Sequence, residues 1–203
     1  MASNVIVNWE AINKKLYSSS SFQAKALPVV KNKFRKHFTP KKAALLEEFN
    51  SNLITQEIAA GSTSSNLSHL LGNRGNLFSY IGFDEGERPI TRLRNLLNKI
   101  EFSEPKLILS KRVWEFKILI PNKEQVAAVT QVEWMGGAGW VDELEKGMTN
   151  LGHYWYNRNG INFGDSRSRT GIQMDAEIYP GAGVVKSKYL SAMLANFRRS
   201  LRD

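Results

Sequence analysis

The sequence predicts an α+β fold with N-terminal helices, a small antiparallel sheet with interleaved helices, and a C-terminal helix. Residues 22–49 and 187–201 carry apolar side chains at helical spacing, whereas residues 106–120 are rich in aromatic and β-branched side chains. Strands and helices do not alternate regularly, which favours segregated α+β over a parallel βαβ arrangement. We expect a single domain over residues 1–203, because a chain of this length can bury one sizeable core.

The N-terminal region predicts two helices that are separated near Pro40. Residues 22–38 carry an apolar stripe at spacings of three and four. The members of the stripe are Leu27, Val30, Phe34 and Phe38. Thr39 followed by Pro40 is typical of a helix start, with an N-cap residue and then Pro at the first helical position. A second helix is therefore expected from Lys41 to about Phe49.

The middle of the chain predicts a long loop followed by mixed elements. Gly, Ser, Thr and Asn dominate residues 61–76, which predicts a loop, and the aromatic and branched residues of 75–83 predict a strand. Pro at the first position and apolar residues on one side predict a short helix over residues 89–100. Residues 106–120 predict two strands around a turn at residues 110–112, or one long bent strand.

The C-terminal half predicts helices that flank short strands. Asn122 is a candidate N-cap for a helix that follows it, and residues 140–156 again show helical spacing, with Gly147 and Gly152 as weak points. Two short strands and a last helix follow, at residues 172–174, 176–179 and 187–201.

The net charge of +9 is concentrated at the two ends of the chain. Residues 1–42, a basic N-terminal helical segment, hold nine Lys and Arg against Glu10, a net charge of +8. Residues 186–203 carry +4, so the remainder sums to −3. Basic ends suit nucleic acid or an acidic protein surface, and they suit a solvated helix face equally well.

The sequence lacks the residues that several classes of chemistry require. The chain has no cysteine, which excludes disulfides and thiolate metal sites and suits a reducing cytosol. The GNRGN segment lacks the Lys-Ser/Thr of a nucleotide-binding loop and precedes a predicted strand rather than a helix. The three histidines are not spaced as metal ligands, and no GxSxG motif is present. We therefore expect no enzyme activity, no cofactor and no metal. No stretch approaches the roughly 20 apolar residues that are needed to span a bilayer, so we also expect no membrane partner.

Interface residues are a better expectation than catalytic ones. Glycines let backbones approach closely, and aromatic residues are enriched in interface cores, although the tryptophans are equally well explained as core residues at a helix entry. The arginines of SRSRTG are suited to phosphate contacts. The expected interface residues are Asn73, Arg74, Asn76, Trp134, Trp140, Arg167 and Arg169.

Three segments taken together resemble a known family. They are EIAAGSTSSNLSHLLGNRGNLFSYIGFDEGERPITRLRNLL, EWMGGAGWVDELEKGMTNLGHYWY and SRSRTGIQM, within residues 55–175. In this order they resemble neck and tail-completion (head–tail connector) proteins of tailed bacteriophages. Compact members of that family are shorter than this chain, so the resemblance does not specify the subtype.

The resemblance implies a non-enzymatic virion subunit that is assembled in the host cytoplasm. It implies a sixfold homo-oligomeric ring between the portal–adaptor complex and the tail, with an adaptor, a tail terminator and a tail tube or sheath as neighbours. It also implies a loop or hairpin that reaches the next subunit. The alternative expectation is a nucleic-acid-binding accessory protein, and nonspecific contact of the basic ends with DNA is compatible with both functions.

Overall fold

A computed structural model confirms the α+β fold. The structure describes residues 9–71, 75–132, 136–148, 153–156, 171–174 and 186–202. The chain forms two compact units: unit one comprises Met1–Pro40 and Glu101–Leu119, and unit two comprises Lys41–Ile100 and Ile120–Asp203. Compact units of this kind do not decide the number of domains, so the single domain stays a prediction. Within the described residues, no helix is long and apolar enough to cross a membrane.

The chain begins with three helices: α1 (Trp9–Ser18), α2 (Ser20–Ser51) and α3 (Leu53–Ala59). The predicted break at Thr39-Pro40 is wrong, because α2 runs through both Pro28 and Pro40. Both prolines are exposed, so the carbonyl groups that lose a helical partner lie on the solvent side, where water replaces the missing N–H. Buried residues continue at helical spacing after Pro40, and their packing outweighs the lost hydrogen bond.

Unit one contains four short strands and an aromatic core. Strands β1 (Glu101–Phe102) and β4 (Ile118–Leu119) pair antiparallel, as do β2 (Lys106–Ile108) and β3 (Val113–Glu115). The predicted pair of strands around a turn is confirmed by β2 and β3. Phe34 of α2 stacks on Phe116 with ring centroids 3.9 Å apart and meets Phe102 edge-on at 5.0 Å. Phe34 of the predicted apolar stripe therefore packs on the strand region of its own unit.

Unit two is mainly helical. Its elements after α3 are α4 (Leu77–Ile81), α5 (Pro89–Asn98), α6 (Lys123–Thr130), α7 (Trp140–Lys146), the antiparallel pair β5 (His153–Tyr156) and β6 (Gly171–Met174), and α8 (Leu190–Ser200). Several large side chains of unit two are fully buried. They include Phe49, Ile58, Phe78, Leu93, Leu97, Trp140 and Tyr189.

The strand predicted at residues 75–83 is wrong, because this segment forms helix α4. Asn76 caps the start of the helix, and Gly82 ends it with φ 86° in the left-handed region. The N–H groups of Gly82 and Phe83 return to the carbonyls of Ser79 and Phe78, which is a Schellman ending. Local caps at both ends, together with burial on every side, override the strand preference of the aromatic residues.

The helix predicted over residues 140–156 is correct only in its first half. Helix α7 ends at Gly147, whose φ of 112° does not continue a right-handed helix. Residues 153–156 instead pair with β6 as a strand, which suits their aromatic side chains. The strand predicted at 172–174 is confirmed, and the one at 176–179 lies outside the described residues.

The predicted helices α5, α6 and α8 are confirmed. Helix α6 begins with a capping box, in which Asn122 accepts the N–H of Gln125 at 2.8 Å and the Gln125 side chain accepts the N–H of Asn122 at 3.0 Å. The predicted loop at residues 61–76 contains one turn of 3-10 helix at Gly61–Thr63 and is otherwise without helix or strand in the residues described.

Candidate functional site

The base of the glycine-rich loop in unit two is built around Glu57, a fully buried acid on α3. One carboxylate oxygen of Glu57 accepts the backbone N–H of Ser68 at 2.6 Å. The other oxygen accepts the backbone N–H of Leu77, also at 2.6 Å. A buried carboxylate is costly unless charge-assisted hydrogen bonds satisfy it, and here each oxygen has its own donor. Glu57 therefore holds the chain at Ser68, midway along the loop, and at Leu77, directly after it.

Asn76 is the second anchor of the same loop. Its side-chain oxygen accepts the N–H of Ser79 at 2.9 Å and so caps α4. Its amide nitrogen donates to the carbonyl oxygens of Ser62 and Ser64, both at 2.9 Å. The side chain is fully buried. One residue thus joins the start of the loop to the helix that follows it.

This arrangement has consequences for chemistry. Both oxygens of Glu57 are occupied by backbone donors, so the carboxylate is not free to act as a general base or a metal ligand. A phosphate-binding loop offers its backbone N–H groups to an anion, but here a carboxylate already takes two of them. Among the described residues, no group of three or more His, Asp or Glu side chains is placed to hold a metal ion. The loop base supports a structural role.

The second glycine-rich segment, around residues 131–140, is closed by a bridge between Gln131 and Gly139. A side chain at Gly139 would stand 2.6 Å from the Thr130 hydroxyl and 3.0 Å from the Cα of Ala127. Only glycine permits this approach between the end of α6 and the start of α7. The close backbone approach at Gly139 is made within unit two, and an interface role of this segment stays a prediction.

Two of the expected interface residues lie in the interior. Asn76 and Trp140 are 0% and 1% exposed. Trp140 packs edge-on against Phe83 at 5.9 Å and lies 6.0 Å from the ring of Tyr189. Neither side chain presents surface to a neighbouring subunit in this conformation, so their contacts are those of core residues. The remaining expected interface residues lie outside the described residues, and they are Asn73, Arg74, Trp134, Arg167 and Arg169.

Sequence reasoning missed Glu57 and a second buried polar pair in unit two. The hydroxyl oxygens of Thr55 and Tyr189 lie 2.6 Å apart, and both residues are 1% exposed. Burial raises the pKa of the Tyr189 hydroxyl, and the hydrogen bond with Thr55 offsets only part of that shift. The sequence signal that could have identified Thr55 and Glu57 is their position. Both residues lie between Ile54 and Ile58, which are buried on the short helix α3.

A groove of about 400 Å³ lies between α6, α7 and α8. Apolar residues such as Val126, Leu190 and Leu194 line it, and Asp142 stands among charged residues at its edge. Asp142 pairs with Lys123 at 3.0 Å and with Lys146 at 2.5 Å.

Two opposing effects act on the pKa of the Asp142 carboxyl. Burial raises it, but hydrogen bonds and charge from Lys146 and Lys123 outweigh burial and leave it below its usual value. The acid is held ionised by its own lysines and is not available as a general acid near neutral pH.

Comparison with protein-family models, with curated proteins and with solved structures returned no match.

Proposed function

We propose that this chain is a non-enzymatic structural subunit of a tailed-bacteriophage virion. In this proposal it forms a homo-oligomeric ring in the neck or tail-completion region that joins head to tail. The observation that carries the proposal is the resemblance of three segments in one order within residues 55–175. The ring, its sixfold symmetry and its neighbours (an adaptor, a tail terminator, and a tail tube or sheath) come from that resemblance.

The hairpin β2–β3 supports a subunit contact. Its residues Leu109 and Val113 are 51% and 46% exposed, at the turn that joins the two strands. Large apolar side chains at an exposed turn gain free energy when another chain covers them. A hairpin that reaches the next subunit is the element that the resemblance implies.

A second apolar surface in unit one is a groove of about 510 Å³ along α1 and α2. Leu16 and Val29, which line it, are 45% and 67% exposed. A closed ring of identical chains needs a heterologous contact, in which one patch meets a different patch on the next copy. Unit one carries two such patches, the hairpin turn and the groove.

The hydrogen bonds and ion pairs of two acids in unit two, Glu57 and Asp142, support a non-enzymatic role. Glu57 holds backbone N–H groups, and Asp142 is neutralised by two lysines. Active sites instead leave a titratable group free to meet a substrate, with a pKa suited to proton transfer.

Native mass spectrometry over a concentration series, with negative-stain microscopy, tests the proposal. We expect a closed ring at high concentration and the same chain in purified virions. The variant Leu109→Asp should weaken the ring, because it places a charge in the contact. The matched control is Leu53→Asp, which changes an equally exposed leucine of unit two. A chain that stays monomeric at every concentration and is absent from virions would refute the proposal.

Two arginines outside the described residues offer a further test of the same contact. Arg74→Glu and Arg169→Glu reverse the charge of the loop residues expected at the interface. We expect both variants to stay folded and to assemble poorly. Loss of the folded monomer would assign these arginines to the stability of the subunit rather than to its contacts.

A further inference from the structure

Unit one carries a large positive charge that its own acids do not compensate. Its 59 residues hold eleven Lys and Arg against four Glu, a net charge of +7. Two of these cations are ion-paired, Lys31 with Glu104 and Arg112 with Glu10 at 3.7 Å. In the part of unit one that the structure describes, the other nine have no ion-pair partner.

Four of the unpaired cations lie on one face of α2. Lys25 and Lys36 are eleven residues apart, about three helical turns, and so lie on one line along the helix. Lys33 and Arg35 flank that line on its two sides, and all four residues are exposed. No acidic residue occurs between Glu10 and Glu47 in the sequence. The nearest acid of α2 is Glu47, eleven residues beyond Lys36, so the face itself carries only positive charges.

The opposite face of the same helix is already occupied. Phe34 and Phe38 pack against Phe102, with ring centroids 5.0 and 5.3 Å apart. A helix that lies in a membrane surface inserts its apolar face into the lipid. In α2 that face is covered by the strands of unit one. The four cations lie on the side that stays exposed, next to the groove that Leu16 and Val29 line.

We propose that this face of α2, named here the basic face (Lys25, Lys33, Arg35 and Lys36), binds the phosphate backbone of duplex DNA without reading sequence. The face is about 16 Å long at 1.5 Å per residue. Over that length one DNA strand presents about five phosphates at 3.4 Å each. Lys25 at one end of this length, and Lys33, Arg35 and Lys36 towards the other, offer four positive charges to these phosphates, and lysine serves as a point charge for phosphate.

The side chains of the basic face limit which features of DNA it can recognise. Base recognition needs side chains that form bidentate contacts in a groove, whereas backbone contacts position a protein without sequence information. Three of the four cations are lysines, which suits backbone contact. The inference does not rest on the proposed ring, because a monomer presents the same face.

Fluorescence anisotropy with a labelled duplex of random sequence, over a salt series, tests the inference. The test variant is Lys25→Gln/Lys33→Gln/Lys36→Gln. The control, Lys99→Gln/Lys186→Gln/Lys188→Gln, removes the same charge from exposed positions of unit two. We expect wild-type affinity to fall steeply with salt. The slope of log affinity against log salt should become shallower by about 2.7 in the test variant, about 0.9 for each phosphate that the protein no longer neutralises.

A third variant and a second ligand sharpen the result. Lys25→Arg/Lys33→Arg/Lys36→Arg keeps the charges and should keep the affinity and the slope. Equal weakening in the test and control variants would overturn the inference, since binding would then follow net charge and not the basic face. Absence of salt-dependent DNA binding by the wild type would also overturn it. Binding to phosphatidylserine vesicles without binding to DNA would overturn it in favour of a membrane surface.

Discussion

The carboxylate of Glu57 accepts the backbone N–H of Leu77 at 2.6 Å, across twenty positions of the chain. Both residues are fully buried. The second oxygen of the same carboxylate accepts the N–H of Ser68, so one side chain joins the middle of the glycine-rich loop to the residue that follows it. The second half of this loop is therefore fixed at both of its limits by a buried side chain of unit two.

Replacing Glu57 by Gln should destabilise unit two by about 2 kcal/mol, the scale of a hydrogen bond to a charged group. The side chain keeps its shape, but its amide nitrogen then faces a backbone N–H and one acceptor is lost. Urea unfolding at neutral pH measures the free energy, and hydrogen exchange at the amides of Ser68 and Leu77 locates the change.

The control for this variant is Glu47→Gln, which changes an exposed acid of α2. Its effect should stay within about 0.5 kcal/mol. Unchanged exchange at both amides in Glu57→Gln would show that the carboxylate does not hold the loop.

Replacing Asn76 by Asp separates its two roles. The remaining side-chain oxygen still caps α4, but the second oxygen now faces the carbonyl oxygens of Ser62 and Ser64. A buried charge against two acceptors should cost about 3 kcal/mol or more in the free energy of unfolding. Chemical denaturation measures this loss.

The matched variant is Asn122→Asp, at the exposed N-cap of α6. Asp and Asn are about equally good N-caps, so its unfolding free energy should change by less than about 0.5 kcal/mol. Similar losses at the two positions would mean that Asn76 acts only as a helix cap.

The sequence predicted those elements whose local signals agree with their packing. Helix α6 has a capping box, and β2 and β3 have strand-forming residues on both sides of a turn, so local and tertiary preferences coincide. Helix α4 was missed because its aromatic residues favour strands. Its N-terminal cap, Asn76, lies where the predicted loop ends, and its C-terminal cap, Gly82, lies within the predicted strand.

The candidate site was harder to predict than the fold. Asn76 was singled out as a polar loop residue, but its burial follows from contacts with Ser62 and Ser64 that composition does not reveal. Glu57 was missed because acids are rarely fully buried, and its two donors come from distant positions. Pairing of this kind depends on tertiary placement, which no local pattern encodes.

The pKa of the Asp142 carboxyl should rise when either of its lysines is removed. Lys146→Met and Lys123→Met each delete a hydrogen bond and a positive charge that hold this pKa low, while burial, which raises it, remains. Carboxyl titration by NMR measures the change. Lys33→Met, a charge loss in unit one, is the control and should leave the titration of Asp142 as it is in the wild type.

The ion pairs of Asp142 with Lys123 and Lys146 predict that the free energy of unfolding depends weakly on pH in the acidic range. The folded-state pKa of Asp142 is lowered, so its contribution to the free energy of unfolding is fully present at pH values above the usual pKa of 3.8. That contribution is lost as the pH falls through the folded-state pKa. The pairs are largely exposed, so Asp142→Asn should cost less than about 1 kcal/mol at neutral pH. A larger loss would mean that Asp142 also holds the fold by another route.

Tyr189 should make the free energy of unfolding fall in alkali. Burial raises the pKa of its hydroxyl above the usual 10.0, so the folded state favours the neutral form. The contribution is fully present below pH 10 and is lost as pH rises above it, by about 1.4 kcal/mol per pH unit until the folded-state pKa is reached. Tyr189→Phe should remove this decline and cost about 1 kcal/mol at neutral pH, because Thr55 loses its hydrogen bond.

Denaturation at pH values on both sides of 10 measures both effects. Tyr17→Phe, at a half-buried tyrosine of unit one, is the control and should leave the alkaline decline in place. A decline of the same size in Tyr189→Phe and the wild type would assign it to other groups.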